Sequence, residues 1–265
     1  MTILDKIVAD KKEEISQAAY RLPLERLQAH IATTDWKPRQ FYKRLMSPGP
    51  GGVNIIAEIK RASPSKGSIC DHLRAGPSAR EYEAGGAAAI SVLTDTPYFK
   101  GSLADLRQVR SAVSLPVLRK EFIISEYQVF ESRAAGADAL LLIARILEPS
   151  QLKELLCLAH ELGMDALVEI HSETDYAAAH DAGAKLIGIN NRNLATFATD
   201  IETAMNLSDL LQPGEVPVAA SGISSREDIE YNLERGLFNF LIGESIVRSN
   251  DRPAFIRELI YGKKC

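Results

Sequence analysis

The chain opens with apolar residues at helical spacing. Leu4, Ile7, Val8, Ile15 and Ala18 recur along an otherwise charged stretch, as the buried face of a helix does. Thr2 and Asp5, three apart, have the form of a capping box and set the expected start of that helix. A second short helix is predicted from Leu24 to Ile31. The run Ser47-Pro48-Gly49-Pro50-Gly51-Gly52 then ends the helical pattern.

Beyond it the character changes to apolar runs, each preceded by a helix-like stretch that stops at glycine. Ala84-Gly85-Gly86 leads into AAAISVL, Ala135-Gly136 into ADALLLI, Leu162-Gly163 into MDALVEI, Ala182-Gly183 into AKLIGIN and Arg235-Gly236 into LFNFLIG. Glycine is the usual left-handed helix terminator, so each is expected to be a helix-to-strand junction. Two wider gaps hold a proline-marked junction each, at Ser114-Leu115-Pro116-Val117 and Glu215-Val216-Pro217-Val218.

With Ile55–Lys60 this gives eight strand candidates: 55–60, 88–94, 117–122, 138–144, 166–171, 186–191, 216–221 and 238–243. They are continuously apolar rather than alternating, as strands buried on both faces are. Eight repeating βα units predict a (β/α)8 TIM barrel, an α/β fold. A doubly wound open sheet is the alternative, but no G-x-G-x-x-G follows the first run. Residues 1–46 are read as a helical N-terminal extension, a hairpin covering one end of a barrel formed by residues 47–265, the whole a single structural domain.

Composition adds exclusions. The chain has 265 residues, 46% of them hydrophobic and 25% charged, ordinary globular values. A formal net charge of −4 argues against binding nucleic acid. Cys70, Cys157 and Cys265 are few, odd in number and far apart, which suits a reducing compartment without a disulfide framework. The N-terminus has no apolar export segment, and no apolar run approaches the roughly 18 residues of a membrane helix. The expectation is a cytoplasmic protein that does not engage membranes.

In a barrel of this kind the active site lies where the strands end, and these ends are charged. The first run closes with Glu58-Ile59-Lys60, the third with Lys120-Glu121-Phe122, the fifth with Glu169-Ile170-His171 and the sixth runs into Asn190-Asn191-Arg192. One such charge could belong to a rim salt bridge. Four ends of this kind together point to a site, because charge in a barrel mouth is costly unless paired. Lysines facing carboxylates are equipped for proton transfer, with no obvious nucleophile. Ser221-Gly222-Ile223 and Gly243-Glu244-Ser245 close the seventh and eighth runs, the usual place of a phosphate site in barrels. The loop Arg61–Ser68 fits a lid over an anionic ligand better than a nucleic-acid contact. His30, His72, His160, His171 and His180 are scattered without metal-ligand spacing, and no cofactor fingerprint is present. Neither a metal nor a cofactor is expected.

The stretches Ile56-Ala57-Glu58-Ile59-Lys60-Arg61-Ala62-Ser63-Pro64-Ser65-Lys66-Gly67, Ser91-Val92-Leu93-Thr94-Asp95, Leu118-Arg119-Lys120-Glu121-Phe122, Leu167-Val168-Glu169-Ile170-His171 and Ile187-Gly188-Ile189-Asn190-Asn191-Arg192-Asn193-Leu194 together resemble the indole-3-glycerol phosphate synthases of tryptophan biosynthesis. The resemblance extends over essentially the whole chain, helical extension included. It implies ring closure of 1-(2-carboxyphenylamino)-1-deoxyribulose 5-phosphate with loss of CO2 and water, catalysed without cofactor. By the same resemblance Lys120 corresponds to the general acid and Glu169 to the base of the dehydration. Lys60 would bind the anionic substrate and assist proton transfer, and Glu58 would orient the lysines. Asn190 and Arg192 would position the substrate. Ser63, Ser221, Gly222, Gly243 and Glu244 would surround a phosphate or carboxylate, with Phe99, Phe122, Leu141 and Leu194 as an apolar wall for the aryl ring.

One departure stands out. The family usually carries Glu before the Ser-Gly-Ile of the seventh strand, where this chain has Ala220. Glu121 in place of the common Asp after the lysine is milder. Activity is expected to survive, since the principal acid and base are present. Two rival readings remain at this level. One is another phosphate-binding barrel enzyme, such as a sugar-phosphate isomerase, which would need no aryl wall. The other is a weakened barrel that only binds a phosphorylated ligand, suggested by Ala220. The expected partner is a small phosphorylated substrate; a monomer, alone or beside other enzymes of the pathway, is compatible with the sequence.

Overall fold

In the computed structural model, which describes residues 2–192 and 202–262, eight strands close into a barrel. They are β1 (Asn54–Ile59), β2 (Ala89–Leu93), β3 (Val117–Lys120), β4 (Ala139–Ile143), β5 (Asp165–Ile170), β6 (Leu186–Asn190), β7 (Val216–Ala220) and β8 (Asn239–Ile242). Each pairs in parallel with the next, and β8 returns to β1 with Ile55 opposite Phe240. All eight expected runs are strands, their ends displaced by at most two residues.

Alternation along each strand sorts the apolar residues into two cores. Ile56, Leu118, Leu141, Leu167, Leu186, Val218 and Leu241 fill the barrel interior. Ile55, Ile90, Leu140, Val168, Ile187 and Phe240 point outward against the surrounding helices. Gly86 (φ 95°) and Gly183 (φ 87°) end their helices in the left-handed conformation that the junction pattern called for.

The N-terminal segment forms α1 (Ile3–Arg21), α2 (Leu24–Thr33) and α3 (Phe41–Leu45). The capping box is formed: Thr2 Oγ1 accepts from Asp5 N, and Thr2 N donates to the Asp5 carboxylate at 2.7 Å. The expected hairpin over one end is corrected by the placement of these helices, which close both ends. At the bottom, Phe41 and Leu45 are buried in the interior core. Asn239 Nδ2 donates to Leu45 O at 3.1 Å, and Asn54 Nδ2 to Ser47 O at 2.8 Å. Arg39 N and Tyr42 N donate to Asp138 and Asp165, each at 2.8 Å. At the mouth, Ile3, Leu4 and Ile7 of α1 turn their apolar stripe onto the ends of the strands. The hydrophobic stripe fixes that a helix must be buried somewhere; the open mouth supplies the surface.

Candidate active site

The even-numbered residues of β1 face inward, so Glu58 reaches the upper layer of the barrel and Lys60 follows on the same side just beyond the strand. Glu58 is 2% exposed. Lys60 Nζ lies 2.7 Å from its Oε1 and Lys120 Nζ, from β3, lies 3.2 Å from its Oε2. One buried carboxylate thus serves two ammonium groups. Burial alone would raise the Glu58 carboxyl; the charges of Lys120 and Lys60 outweigh it and hold the group at about 2. Burial likewise works against the charged form of Lys120, but Glu58 and then Glu169 leave its pKa raised above the ordinary lysine value. Lys120 is therefore held in its charged form.

Glu169, at the end of β5, is buried across the same pocket. Asn190 Nδ2 donates to its Oε1 at 3.1 Å, and Arg192 N donates to Asn190 Oδ1 at 3.0 Å. Arg192 Nη1 reaches Ser65 Oγ at 3.4 Å, linking β6 to the loop after β1. That loop is a tight hairpin, Ala62–Ser63 pairing with Gly67–Ser68, and Ser63, Pro64 and Ser65 line the pocket. Arg61 anchors its base through two 2.7 Å bonds to Asp105.

The pocket encloses about 820 Å³ including its open mouth. Its polar floor is Glu58, Lys60, Lys120, Glu169, Asn190 and Arg192, with Ser63 and Ser221 at the edge. Phe99 and Phe122, ring centroids 6.0 Å apart, form an apolar wall with Leu141. Three buried polar atoms of lining residues, Glu58 Oε2, Ser63 Oγ and Arg192 Nε, have no hydrogen-bond partner in the protein. Ser221 holds a left-handed backbone (φ 66°), rare for a residue with a side chain. A site with three cations, buried carboxylates and an apolar side suits an anionic aromatic ligand and proton transfer to it.

Eleven of the fifteen site residues expected from the sequence line this pocket. Gly222, Gly243 and Glu244 do not. Gly222 is exposed beside Ser221, and Glu244 pairs with Arg248 at 3.0 Å. Gly243 has another part: a Cβ there would overlap the Glu58 carboxylate, 3.1 Å from its Cδ, so glycine makes room for the shared counter-ion. Leu194 lies outside the described residues. Ala220 faces the interior core opposite Asn190 and brings only a methyl group. With Glu244 turned to Arg248, no carboxylate from β8 replaces the missing one.

Sequence reasoning found α1 but missed its place at the site. Besides its three wall residues, α1 sends Lys11, 3% exposed, into a buried ion cluster. Lys11 Nζ lies 2.7 Å from Glu14, 2.9 Å from Asp95 and 3.1 Å from Glu121. Glu121 also accepts from Thr94 Oγ1 and from Phe122 N. The cluster therefore ties the helix to the residue next to Lys120. The available signal was Lys11 itself, a charge four residues after Ile7 on the apolar stripe.

The protein family model described as indole-3-glycerol phosphate synthase matches residues 4–259. The chain belongs to the indole-3-glycerol phosphate synthase family. It is 57% identical over 259 residues to the indole-3-glycerol phosphate synthase of Desulfosudis oleivorans, covering 97% of this chain and 98% of that one. To the synthase of Syntrophobacter fumaroxidans it is 48% identical over 256 residues, covering 97% and 96%. Among solved structures it is similar in fold to 3-hexulose-6-phosphate synthase from Salmonella typhimurium (TM-score 0.61, 15% identity, 78% of this chain and 97% of that one). The N-acetylmannosamine-6-phosphate 2-epimerase of Clostridium perfringens is comparable (TM-score 0.60, 16% identity, 85% and 97%). These two likenesses concern the barrel alone. As an indole-3-glycerol phosphate synthase family member, the chain combines that barrel with α1 over its mouth.

Proposed function

We propose that the chain converts 1-(2-carboxyphenylamino)-1-deoxyribulose 5-phosphate into indole-3-glycerol phosphate, releasing CO2 and water, as a carboxy-lyase. The observation that carries this reading is the pair Lys60 and Lys120 sharing buried Glu58, opposite Glu169 and beside an apolar wall. Phe99, Phe122 and Leu141 hold the aryl ring with its carboxyl-bearing carbon against the ribulose carbonyl. Such positioning supplies several kcal/mol of the barrier. Lys120 donates a proton to the carbonyl oxygen as the ring closes, and the developing alkoxide becomes a hydroxyl. Loss of CO2 returns the bonding electrons to the ring. Glu169 then accepts a proton as the hydroxyl departs as water, with Lys60 supplying the proton to the leaving oxygen. Lys60, Arg192 and Ser63 meet the substrate's anionic groups.

Acid and base each contribute typically 10²–10⁴-fold, which accommodates turnover with only a methyl group at position 220. The apolar wall favours this reaction over a sugar-phosphate isomerisation, which has no aryl group to hold. None of the described helices is long and apolar enough to cross a membrane. The reading is tested by incubating purified protein with the carboxyphenylamino-deoxyribulose phosphate and identifying the product by mass and indole fluorescence. One CO2 per indole product is expected; unaltered substrate, or an isomer of unchanged mass, would overturn it.

A further inference from the structure

His171 stands one residue beyond β5, and its side chain is only 4% exposed. Neither ring nitrogen has a hydrogen-bond partner, a costly state for a buried polar group. Nε2 is 3.5 Å from Glu169 Oε1 and Nδ1 is 3.8 Å from Asp175 Oδ2. The charged groups around the ring are Glu169 of β5, Asp175 of the following helix (Glu173–Ala182), Arg145 after β4 and Lys120 of β3. Burial is the largest influence and pushes the imidazole pKa below its ordinary value, so the ring is neutral and carries one N–H.

Both neighbours are acceptors, and that one proton can serve only one of them. Asp175 is already supplied: its Oδ2 accepts from Arg145 Nη2 and from His171 N, each at 2.8 Å. Glu169 Oε1 has one donor, Asn190, and retains a lone pair. A shift of a few tenths of an ångström brings Nε2 into ordinary hydrogen-bond range, and such bonds often tighten only when substrate is bound.

We propose that His171 is a positioning residue for Glu169, its Nε2–H donating to Oε1 in the substrate-loaded site. Together with Asn190 it fixes Oε1 and leaves Oε2 as the oxygen that receives the substrate proton. This rests on the proposed reaction, in which Glu169 accepts a proton, and adds the group that orients it.

The test compares His171→Leu, which removes the donor, with His171→Gln, whose amide nitrogen reaches about as far as Nε2. Both are assayed by indole fluorescence across pH, with thermal melts confirming that they fold. His171→Leu is expected to lower kcat about 10- to 100-fold, the range for a hydrogen bond to a charged group, with KM little changed. The acid limb of its kcat profile should move to higher pH, because the lost donor favoured the ionised carboxylate. His171→Gln should recover most of both. In the wild type, imidazole ¹⁵N spectra assigned by the His171→Gln difference should show the Nε2–H tautomer. Folded variants with wild-type kcat and an unmoved acid limb would overturn the proposal, as would Gln performing no better than Leu, or an Nδ1–H tautomer. A wild type that turns over while the variants are insensitive leaves the function standing and removes only His171. A wild type without turnover removes both.

Discussion

Replacing Glu58 with Gln should weaken the hold of Lys120 on its proton. The carboxylate stands 3.2 Å from Lys120 Nζ in a pocket where Glu58 is 2% exposed. At an effective dielectric of about 20 this contact is worth about 5 kcal/mol to the charged amine. Water entering the variant's site and the remaining charge of Glu169 should retain part of it. A loss of about 3 kcal/mol corresponds to about two pKa units. The basic limb of kcat/KM, which reports the free enzyme's acid, should therefore fall by about two pH units, read from indole fluorescence between neutral and alkaline pH. Stability carries a second signature. The Glu58 carboxyl at about 2, against an ordinary 4.5, is a depressed pKa. Its contribution of about 3 kcal/mol is full above pH 4.5 and is lost as pH falls towards 2. Glu58→Gln should thus melt lower than wild type at neutral pH, the gap narrowing on acidification. A basic limb at its wild-type position in a folded, active variant would refute the claim that Glu58 keeps Lys120 charged.

Three further outcomes follow from the same geometry. Lys11→Met leaves Asp95 and Glu121 buried without their shared cation, so stability should fall by about 3–5 kcal/mol, visible in denaturant titration; a loss under about 1 kcal/mol would show that α1 is held by its apolar face alone. Gly243→Ala places a methyl on the Glu58 carboxylate, so turnover should fall at least about tenfold with the basic limb displaced as in Glu58→Gln, whereas wild-type kinetics would mean the strand end yields freely. Ala220→Glu should change kcat by less than about tenfold, because Lys120 and Glu169 already provide acid and base; a rise of about 100-fold or more, the contribution of a positioned acid–base group, would show that the wild type works crippled.

The barrel was legible because its strands are buried on both faces and its helices stop at glycine, so the repeat stands out without tertiary information. Glu58, Lys60, Lys120 and Glu169 were legible because a charge at the end of an apolar run has few structural uses. What escaped depends on three-dimensional proximity. Gly243 read as part of a phosphate cradle, while its missing side chain actually accommodates a carboxylate of the first strand, distant in sequence but adjacent in the closed barrel. Glu244 read as a ligand neighbour because sequence does not reveal that Arg248, one helical turn on, faces it. Periodicity marked α1 as amphipathic but held no information on which surface its stripe covers, so Ile3, Leu4 and Ile7 entered the site, and Lys11 the cluster beside it, only with the fold.

Whether Lys120 is the general acid of a decarboxylating ring closure is read most directly by single-turnover indole fluorescence with wild type and Lys120→Ala on the carboxyphenylamino-deoxyribulose phosphate. A fluorescent product is expected from wild type, with a loss of at least about 100-fold in the variant and substrate binding by both, measured by calorimetry. Equal turnover by the two proteins would show that Lys120 is not the acid.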